Sequence, residues 1–238
     1  MIKKLYFSLF KHFGPRGWWP TTPSHSSHPL YSHRKSLKKL TEQESFEICL
    51  GAILTQNTSW SNVERVLSGL KKNKLLNFRS LLAMPLQKLE IHLRSSGYFR
   101  QKSFRVRSFL KTIQKETKGR FKEFLQGSLS PVREKLLRLH GIGPETADSM
   151  MLYAAGHPIF VVDAYTRRIA SRWGIIKGDE SYEEIQATFM KALPRSASLF
   201  GEYHALLVEL GKEFCQKKPL CKNCPLCKVC KNGRKETA

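Results

Sequence analysis

The stretch that decides the fold is Arg133–Arg168, REKLLRLHGIGPETADSMMLYAAGHPIFVVDAYTRR. It predicts an amphipathic helix, a Gly-Ile-Gly turn at 141–143, a second helix that starts at Pro144, an apolar run, and a third helix that begins after Asp163. Two glycines around one apolar residue let the backbone approach a ligand closely, and amides at a helix start suit a phosphate oxygen. A carboxylate that follows such a turn leads to the hypothesis of chemistry on a nucleic acid.

The composition is strongly basic, with 41 Lys and Arg against 19 Asp and Glu and a net charge of +22. This excess favours a polyanionic partner, for which nucleic acid is the first candidate and an anionic membrane the second. No run of about 20 apolar residues occurs, so we expect no membrane span. The N-terminal segment lacks the cleavage site of a signal peptide, and we therefore expect a cytoplasmic, nucleoid-associated protein.

The remainder of the chain predicts an all-α fold of about ten helices. Apolar residues follow helical spacing at 46, 49, 50, 53 and 54, and again at 63, 66, 67 and 70. Residues 21–36, TTPSHSSHPLYSHRKS, are rich in Ser, His and Pro and predict a flexible insertion. The three histidines of this segment are expected to be solvated, because their spacing does not support metal ligation.

Five of the six cysteines lie close together near the C-terminus, at positions 215, 221, 224, 227 and 230. Disulfides would be scattered to join distant segments, so this grouping indicates a metal site. The spacing is too short for two typical zinc knuckles and favours a 4Fe-4S cluster over zinc. Spacing alone leaves open which four cysteines bind and what Cys227 does. Lysines in the same loop, Lys222 among them, are expected to face phosphate.

The hairpin, Val162-Asp163 and the cysteine loop together resemble the endonuclease III superfamily (HhH-GPD) of helix-hairpin-helix DNA glycosylases. The resemblance extends from about residue 40 to 230. It implies a six-helix barrel domain over 46–159, which ends in the hairpin motif at 134–156. It also implies a helical iron–sulfur domain built from both chain ends, 1–45 and 160–238. Proteins of this family bind double-stranded damaged DNA and flip the damaged nucleotide out, and we expect this chain to do so as a monomer.

The resemblance assigns site residues position by position. Asp163 corresponds to the catalytic aspartate, Gln56 to the residue that fills the gap left by the flipped base, and Tyr98 to the side chain inserted into the opposite strand. The hairpin positions expected at the phosphates are Leu139, Gly141, Ile142 and Gly143. The implied cluster ligands are Cys215, Cys221, Cys224 and Cys230, although the first interval of the family is one residue longer.

One departure from the family decides the expected chemistry. Its strand-cleaving members carry a lysine eighteen residues before the aspartate, and here that position is Glu145. A carboxylate cannot form a Schiff base, so we predict a monofunctional glycosylase without AP lyase activity. An acid in the first turn of a helix also stabilises the helix dipole, which gives Glu145 a structural explanation as well.

Three motifs look like the type III branch of 3-methyladenine DNA glycosylases, namely WWP at 18–20, FEICLGAILTQNT at 46–58 and GIGPETAD at 141–148. In that branch aromatic side chains and a proline form a slot for an alkylated purine, and a cationic N3-alkylated adenine is attracted to aromatic faces. The expected base-pocket residues are Trp18, Trp19, Pro20, Phe46 and Glu145. Packing of the aromatic residues in the core is the alternative, and the branch pattern lacks the cysteine loop.

Two other functions stay open at this point. One is an endonuclease III-like glycosylase and AP lyase for oxidised pyrimidines or mismatched bases. The other is a non-catalytic DNA-binding protein whose cluster senses redox state. Asp163 also has a structural interpretation, since it precedes a helix as an N-cap residue would. A capping role and a catalytic role are compatible.

Overall fold

A computed structural model describes residues 1–31 and 40–237 of the chain, and every regular element in these ranges is a helix. The α-helices are α1 (Ile2–Phe13), α2 (Glu42–Leu54), α3 (Trp60–Lys72), α4 (Phe78–Ala83), α5 (Leu86–Leu93), α6 (Phe99–Thr117), α7 (Phe121–Phe124), α8 (Leu129–Leu137), α9 (Pro144–Ser149), α10 (Ala164–Trp173), α11 (Tyr182–Ala192), α12 (Ala197–Glu213) and α13 (Lys231–Thr237). Short 3₁₀ turns cover Arg94–Ser96 and Cys221–Asn223, and a π-turn at Met150–Ala154 continues α9. The all-α prediction is confirmed. No helix in the described ranges has the length and apolarity needed to cross a bilayer.

The chain divides into two compact units. The terminal unit comprises Met1–Trp18 and Pro158–Ala238, and the middle unit comprises Trp19–His157. This division differs from the expected boundaries, which placed all of 1–45 with the C-terminal segment. The reason is the burial of Trp19 in the middle unit, where its indole contacts the ring of Trp60 edge to face at 5.3 Å.

The beginning of the predicted flexible insertion is anchored in the middle unit. Thr21 and Thr22 are both buried, and Thr22 donates from its backbone N–H at 2.9 Å and from its hydroxyl at 2.6 Å to the carboxylate of Glu47. Burial raises the pKa of Glu47, and the bonds from Thr22 offset part of that rise. The prediction of a flexible insertion is therefore wrong for its first residues. His25 and His28 are exposed, as expected, whereas residues 32–36 lie outside the described ranges.

The core of the terminal unit joins the two ends of the chain. Phe160 stacks on Phe189 with ring centroids 4.5 Å apart, and its edge contacts the ring of Tyr203 on α12. The buried hydroxyl of Tyr203 donates to the carbonyl of Ile2 at 2.9 Å, which ties α1 to α12. Residues from both ends of the chain therefore share one core, and the predicted iron–sulfur domain stays a prediction.

The middle unit positions the hairpin with a buried ion pair. Arg133 of α8 donates from Nε to Oδ1 of Asp148 in α9 at 2.6 Å, and the side chain of Asp148 is fully buried. The pair connects the two helices that flank the Gly-Ile-Gly turn. The pair thus links α8 to α9 at the turn. Phe121 lies at the centre of the aromatic core of this unit, in contact with Phe46 and Phe109.

Candidate functional site

Asp163 is the N-cap of α10, as the sequence predicts. Its Oδ1 accepts a hydrogen bond from the backbone N–H of Thr166 at 2.7 Å. Its second oxygen, Oδ2, lies 3.6 Å from Nε2 of His204, a residue of α12. Only 12 % of the Asp163 side chain and 7 % of the His204 side chain are exposed. The carboxylate is thus held on one oxygen by a helix terminus and faces an imidazole with the other.

Burial and these partners act on the pKa of Asp163 in opposite directions. Burial by itself raises the pKa, whereas the imidazole of His204 and the amide of Thr166 lower it, and the net result is a pKa below the ordinary value. The carboxyl group therefore stays ionised. His204 is a site residue that the sequence does not reveal, because a single histidine in the apolar run of α12 has the pattern of a core residue.

The hairpin has the turn geometry that its sequence predicts. Gly141 has a φ of +76°, which favours glycine, and Pro144 occupies the first turn of α9. The side chain of Ile142 is 5 % exposed, and its N–H donates to the carbonyl of Leu139 at 3.1 Å. Ile142 therefore anchors the turn in the core, and the exposed residue is Gly143. The expected contact of Ile142 with DNA stays a prediction.

Gln56 is connected to the hairpin and to α6. Its Nε2 donates to the carbonyl of Gly141 at 2.8 Å and to the hydroxyl of Thr146 at 2.9 Å, while its Oε1 accepts from Arg105 at 2.6 Å. The amide thus joins the end of α2 to the turn that follows α8. These bonds were not predicted, since they link residues that are distant in sequence. The expected role of Gln56 in the gap left by a flipped base stays a prediction.

Lys102 is a buried cation on α6, with 1 % of its surface exposed. Its Nζ donates to the carbonyl of Leu54 at 2.8 Å and to that of Ser96 at 2.6 Å. These carbonyls stand two residues before Gln56 and two residues before Tyr98. Burial, together with the charge of Arg105, lowers the pKa of Lys102 to about 8. One ammonium group therefore fixes the two segments that carry the predicted DNA-inserting side chains.

Tyr98 protrudes from the middle unit in a strained conformation. Its side chain is 66 % exposed, and its φ of +45° lies in the left-handed region, which is uncommon for a bulky residue. Such a conformation persists when the surrounding structure imposes it, and it is found at functional sites. Gly97, with a φ of +66°, precedes it, and α6 begins directly after it. Tyr98 is therefore presented to solvent on a restrained turn.

The residues predicted to form a base pocket are distributed over both units. Trp19 and Phe46 belong to the middle unit and are 8 % and 2 % exposed, so both contribute to its core. Gly51 leaves room for Trp19, since a Cβ at this position would lie 3.1 Å from the indole. Trp18 belongs to the terminal unit, where Nζ of Lys212 lies 5.7 Å from its ring centroid. The pocket stays a prediction. Its remaining members are Pro20, which is buried, and Glu145, which is exposed in the first turn of α9.

All five C-terminal cysteines line one cavity of the terminal unit. Its other walls are mostly apolar, with Trp173 and Phe214 among them. Arg172 donates from Nη1 to the sulfur of Cys215 at 3.2 Å, and Asn232 donates from Nδ2 to that of Cys221 at 3.7 Å. Convergent thiols in an apolar cavity, with N–H donors directed at sulfur, fit an iron–sulfur cluster. Within the described residues, no three His, Cys, Asp or Glu side chains are grouped to hold a single metal ion.

The surface of the cysteine loop is basic. As the sequence predicts, its four lysines are exposed: Lys217, Lys218, Lys222 and Lys228. Exposed lysines on one loop are suited to the phosphates of a nucleic acid.

Comparison with known proteins identifies the family. Residues 50–195 match the family model described as HhH-GPD superfamily base excision DNA repair protein. This match covers more than half of the chain and contains Gln56, Tyr98, the hairpin and Asp163. The chain belongs to the HhH-GPD superfamily. It is therefore a DNA glycosylase of the base excision repair type, and the predicted fold and family are confirmed.

Individual relatives agree with this assignment. A candidate DNA repair glycosylase of Methanocaldococcus jannaschii is 39 % identical over 222 residues, which cover 92 % of this chain and 91 % of the relative. The structure of a 3-methyladenine DNA glycosylase of H. pylori bound to 1,N6-ethenoadenine is 30 % identical, with a TM-score of 0.63, and covers 74 % of this chain and 91 % of that protein. A non-covalent endonuclease III–DNA complex shares the fold with a TM-score of 0.75 over 99 % of this chain and 96 % of that one, at 24 % identity.

The contact between His204 and Asp163 predicts a measurable pKa change. In His204→Ala the carboxyl pKa of Asp163 should rise, because the variant removes a partner that favours the charged form. A lowered pKa contributes stability that is present above the unfolded value of 3.8 and is lost as the pH falls through the folded value. The variant should therefore lose less stability on acidification.

The measurement is an NMR titration of the carboxyl carbon in labelled protein, combined with urea unfolding at several pH values. The exposed His25 provides the control His25→Ala, which should leave the pKa of Asp163 unchanged. If the pKa of Asp163 is unchanged in His204→Ala, or shifts equally in both variants, His204 does not lower the pKa of Asp163.

Proposed function

We propose that the protein is a monofunctional DNA N-glycosylase that flips out a damaged base and removes it by hydrolysis. The observation that carries this proposal is the carboxylate of Asp163, which is kept ionised although it is mostly buried. Cleavage of a glycosidic bond develops positive charge on the sugar, as in glycoside hydrolysis. The Asp163 carboxylate stabilises that charge and orients or deprotonates the attacking water.

The proposed substrate is an alkylated purine such as 3-methyladenine. The support is the 30 % identity to a glycosylase of this specificity, together with the WWP motif and Phe46. Alkylation at N3 makes adenine cationic, so that aromatic faces attract it more strongly than the neutral base. A cationic base is also a good leaving group and needs little acid assistance.

We propose that the protein lacks AP lyase activity because Glu145 stands where that activity needs a lysine. This residue occupies the position at which strand-cleaving members of the family carry lysine, and it is exposed in the first turn of α9. A carboxylate has no amine with which to attack the sugar. The product is therefore an abasic site in an unbroken strand.

DNA distortion is proposed to depend on Tyr98 and Gln56. Tyr98 wedges into the duplex, and the Gln56 amide exchanges its internal bonds for the gap left by the flipped nucleotide. The amides of Gly141 and Gly143 and the ammonium of Lys222 hold phosphates. Lys102 supports this proposal, because it binds the backbone carbonyls two residues before Gln56 and two residues before Tyr98.

We also propose that Cys215, Cys221, Cys224 and Cys230 hold a 4Fe-4S cluster. When bound, such a cluster ties four positions of the C-terminal segment together through iron–thiolate bonds. The proposed partner is double-stranded damaged DNA, bound by a monomer at the nucleoid of the cytoplasm. The loop lysines would supply counter-charge to the phosphate backbone.

The proposed reaction predicts a defined pattern of base release. Duplex DNA treated with a methylating agent should release 3-methyladenine, and its strands should break only after alkali. Duplexes that carry thymine glycol or uracil should stay intact. Asp163→Asn should bind DNA and lose about 10²–10⁴-fold in the rate of base release, the usual contribution of such a group.

Chromatography of the released bases and denaturing gels with and without alkali provide the measurement. Release of thymine glycol with spontaneous strand breaks would replace the proposal by the endonuclease III-like alternative. Undiminished base release by Asp163→Asn would refute the role of Asp163, and no release from any substrate would favour the non-catalytic DNA-binding alternative.

The role of Glu145 predicts the outcome of borohydride trapping. The native protein should form no covalent complex with DNA, whereas Glu145→Lys should form one. In the variant the lysine nitrogen bonds to C1′ as the base leaves, and borohydride reduces the resulting imine. Glu145→Gln is the matched control and should not be trapped. A trapped complex with the native protein would show that another amine of this chain acts as a lyase.

The role of Lys102 predicts a defect in base unstacking. Lys102→Met leaves two buried carbonyls without their donor, at a cost of about 1–3 kcal/mol each. A small displacement of the inserted residues should lower base release by roughly 10²-fold. Fluorescence of 2-aminopurine beside the lesion, measured well below the unfolding midpoint of the variant, reports the unstacking directly.

The control is Lys111→Met, which removes an exposed lysine from the same helix and should change little. Filter binding to undamaged DNA should be similar for both variants, because the hairpin and the loop lysines are untouched. A folded Lys102→Met protein with a normal 2-aminopurine signal would contradict the role of Lys102.

A further inference from the structure

Cys227 is the one cysteine of the C-terminal loop to which neither the family pattern nor the proposed function gives a role. Its position in the fold is nevertheless that of a ligand, since it lines the same cavity as the other four. We propose that Cys227 is an alternative ligand of the cluster, able to replace Cys230. This inference rests on the proposed cluster.

The spacing of the cysteines contains two overlapping ligand sets. The set with Cys230 has the family pattern of two close cysteines between two more distant ones. The set with Cys227 contains the run Cys221-x2-Cys224-x2-Cys227, with Cys215 as the remote fourth thiolate. Three cysteines separated by two residues, with a fourth from elsewhere, are the ligand arrangement of bacterial ferredoxins. Each set therefore suffices for four iron atoms.

The local backbone brings Cys227 and Cys230 to the same cavity. The N–H of Cys227 donates to the carbonyl of Cys224 at 3.1 Å, which closes a turn between the second and third cysteines of the run. The next turn is closed by the N–H of Cys230, which donates to the carbonyl of Leu226 at 2.9 Å. Both sulfurs thus lie on consecutive turns of one segment.

Each of the two sulfurs has a long contact with a backbone carbonyl oxygen. The thiol of Cys227 lies 3.6 Å from the carbonyl oxygen of Gly233, and that of Cys230 lies 3.7 Å from the carbonyl oxygen of Arg172. A thiol is a weak donor, so neither contact strongly opposes a bond to iron. Gly233 lets α13 lie directly on the turn, because a Cβ there would be 2.5 Å from the carbonyl oxygen of Cys227.

The exchange is a ligand substitution without transfer of electrons. The Cys227 thiol would give its proton to water on binding iron, and the Cys230 thiolate, once released, would take up a proton. The fifth thiol thereby lets the cluster survive the loss of one ligand. Cys230 is the ligand that it can replace, since the remaining run then has the ferredoxin spacing.

The test uses alanine variants of the full chain, because alanine offers no ligand atom. Cys227→Ala should retain the iron content and the electron paramagnetic resonance spectrum of the reduced native protein. Cys230→Ala should retain most of its iron but show a changed spectrum, since Cys227 now binds. The double variant Cys227→Ala/Cys230→Ala should lose the cluster. Cys215→Ala/Cys230→Ala, which retains Cys227 but lacks two ligands, is the matched control and should also lose it.

The test separates an error about the role of Cys227 from an error about the presence of the cluster. Loss of iron from Cys230→Ala to the level of the double variant, with iron present in the native protein, overturns the role of Cys227 alone. Loss of iron from Cys227→Ala also overturns it, because Cys227 would then be a resident ligand. A native protein without iron overturns the cluster itself and this inference with it.

Discussion

A charge that is removed from water needs a partner, and this requirement organises both units of the protein. In the middle unit Arg133 neutralises the buried Asp148 beside the hairpin, and Lys102 is surrounded by backbone carbonyls. In the terminal unit the carboxylate of Asp163 accepts a hydrogen bond from the backbone N–H of Thr166 and faces the imidazole of His204. Each of these buried groups joins segments that are distant in sequence. The polar contacts therefore specify the packing that the apolar core alone leaves less well defined.

The same contacts hold the residues that are proposed to act on DNA. The capping bond that stabilises α10 also orients the carboxylate of Asp163, so one interaction serves helix formation and the proposed chemistry. Gln56 is held by the hairpin and by Arg105. The insertion into DNA that we propose for Gln56 would exchange these bonds for contacts with the duplex.

The family is established by a long match, whereas the lesion and the type of product are proposed from a few residues. The match over residues 50–195 establishes a DNA glycosylase of the HhH-GPD superfamily. The features that are proposed to set the lesion and the type of product are few, and they include Trp19, Phe46 and Glu145. Trp19 and Phe46 both pack in the core of the middle unit, and recognition of the base is a second role that we propose for them. The cysteine loop is a separate feature, and its fifth cysteine distinguishes this chain from the family pattern.

The sequence by itself determined the helices, the Gly-Ile-Gly turn, the cap at Asp163 and the grouping of the cysteines. All of these are local, because helical periodicity, capping and positive φ depend on residues within a few positions of one another. Tertiary structure alone decided that His204 faces Asp163, that Lys102 holds the segments before Gln56 and Tyr98, and that the division of the chain falls after Trp18. The physical reason is that the hydrogen-bond partner of a buried polar group depends on which distant helices pack beside it, and the local sequence does not contain that information.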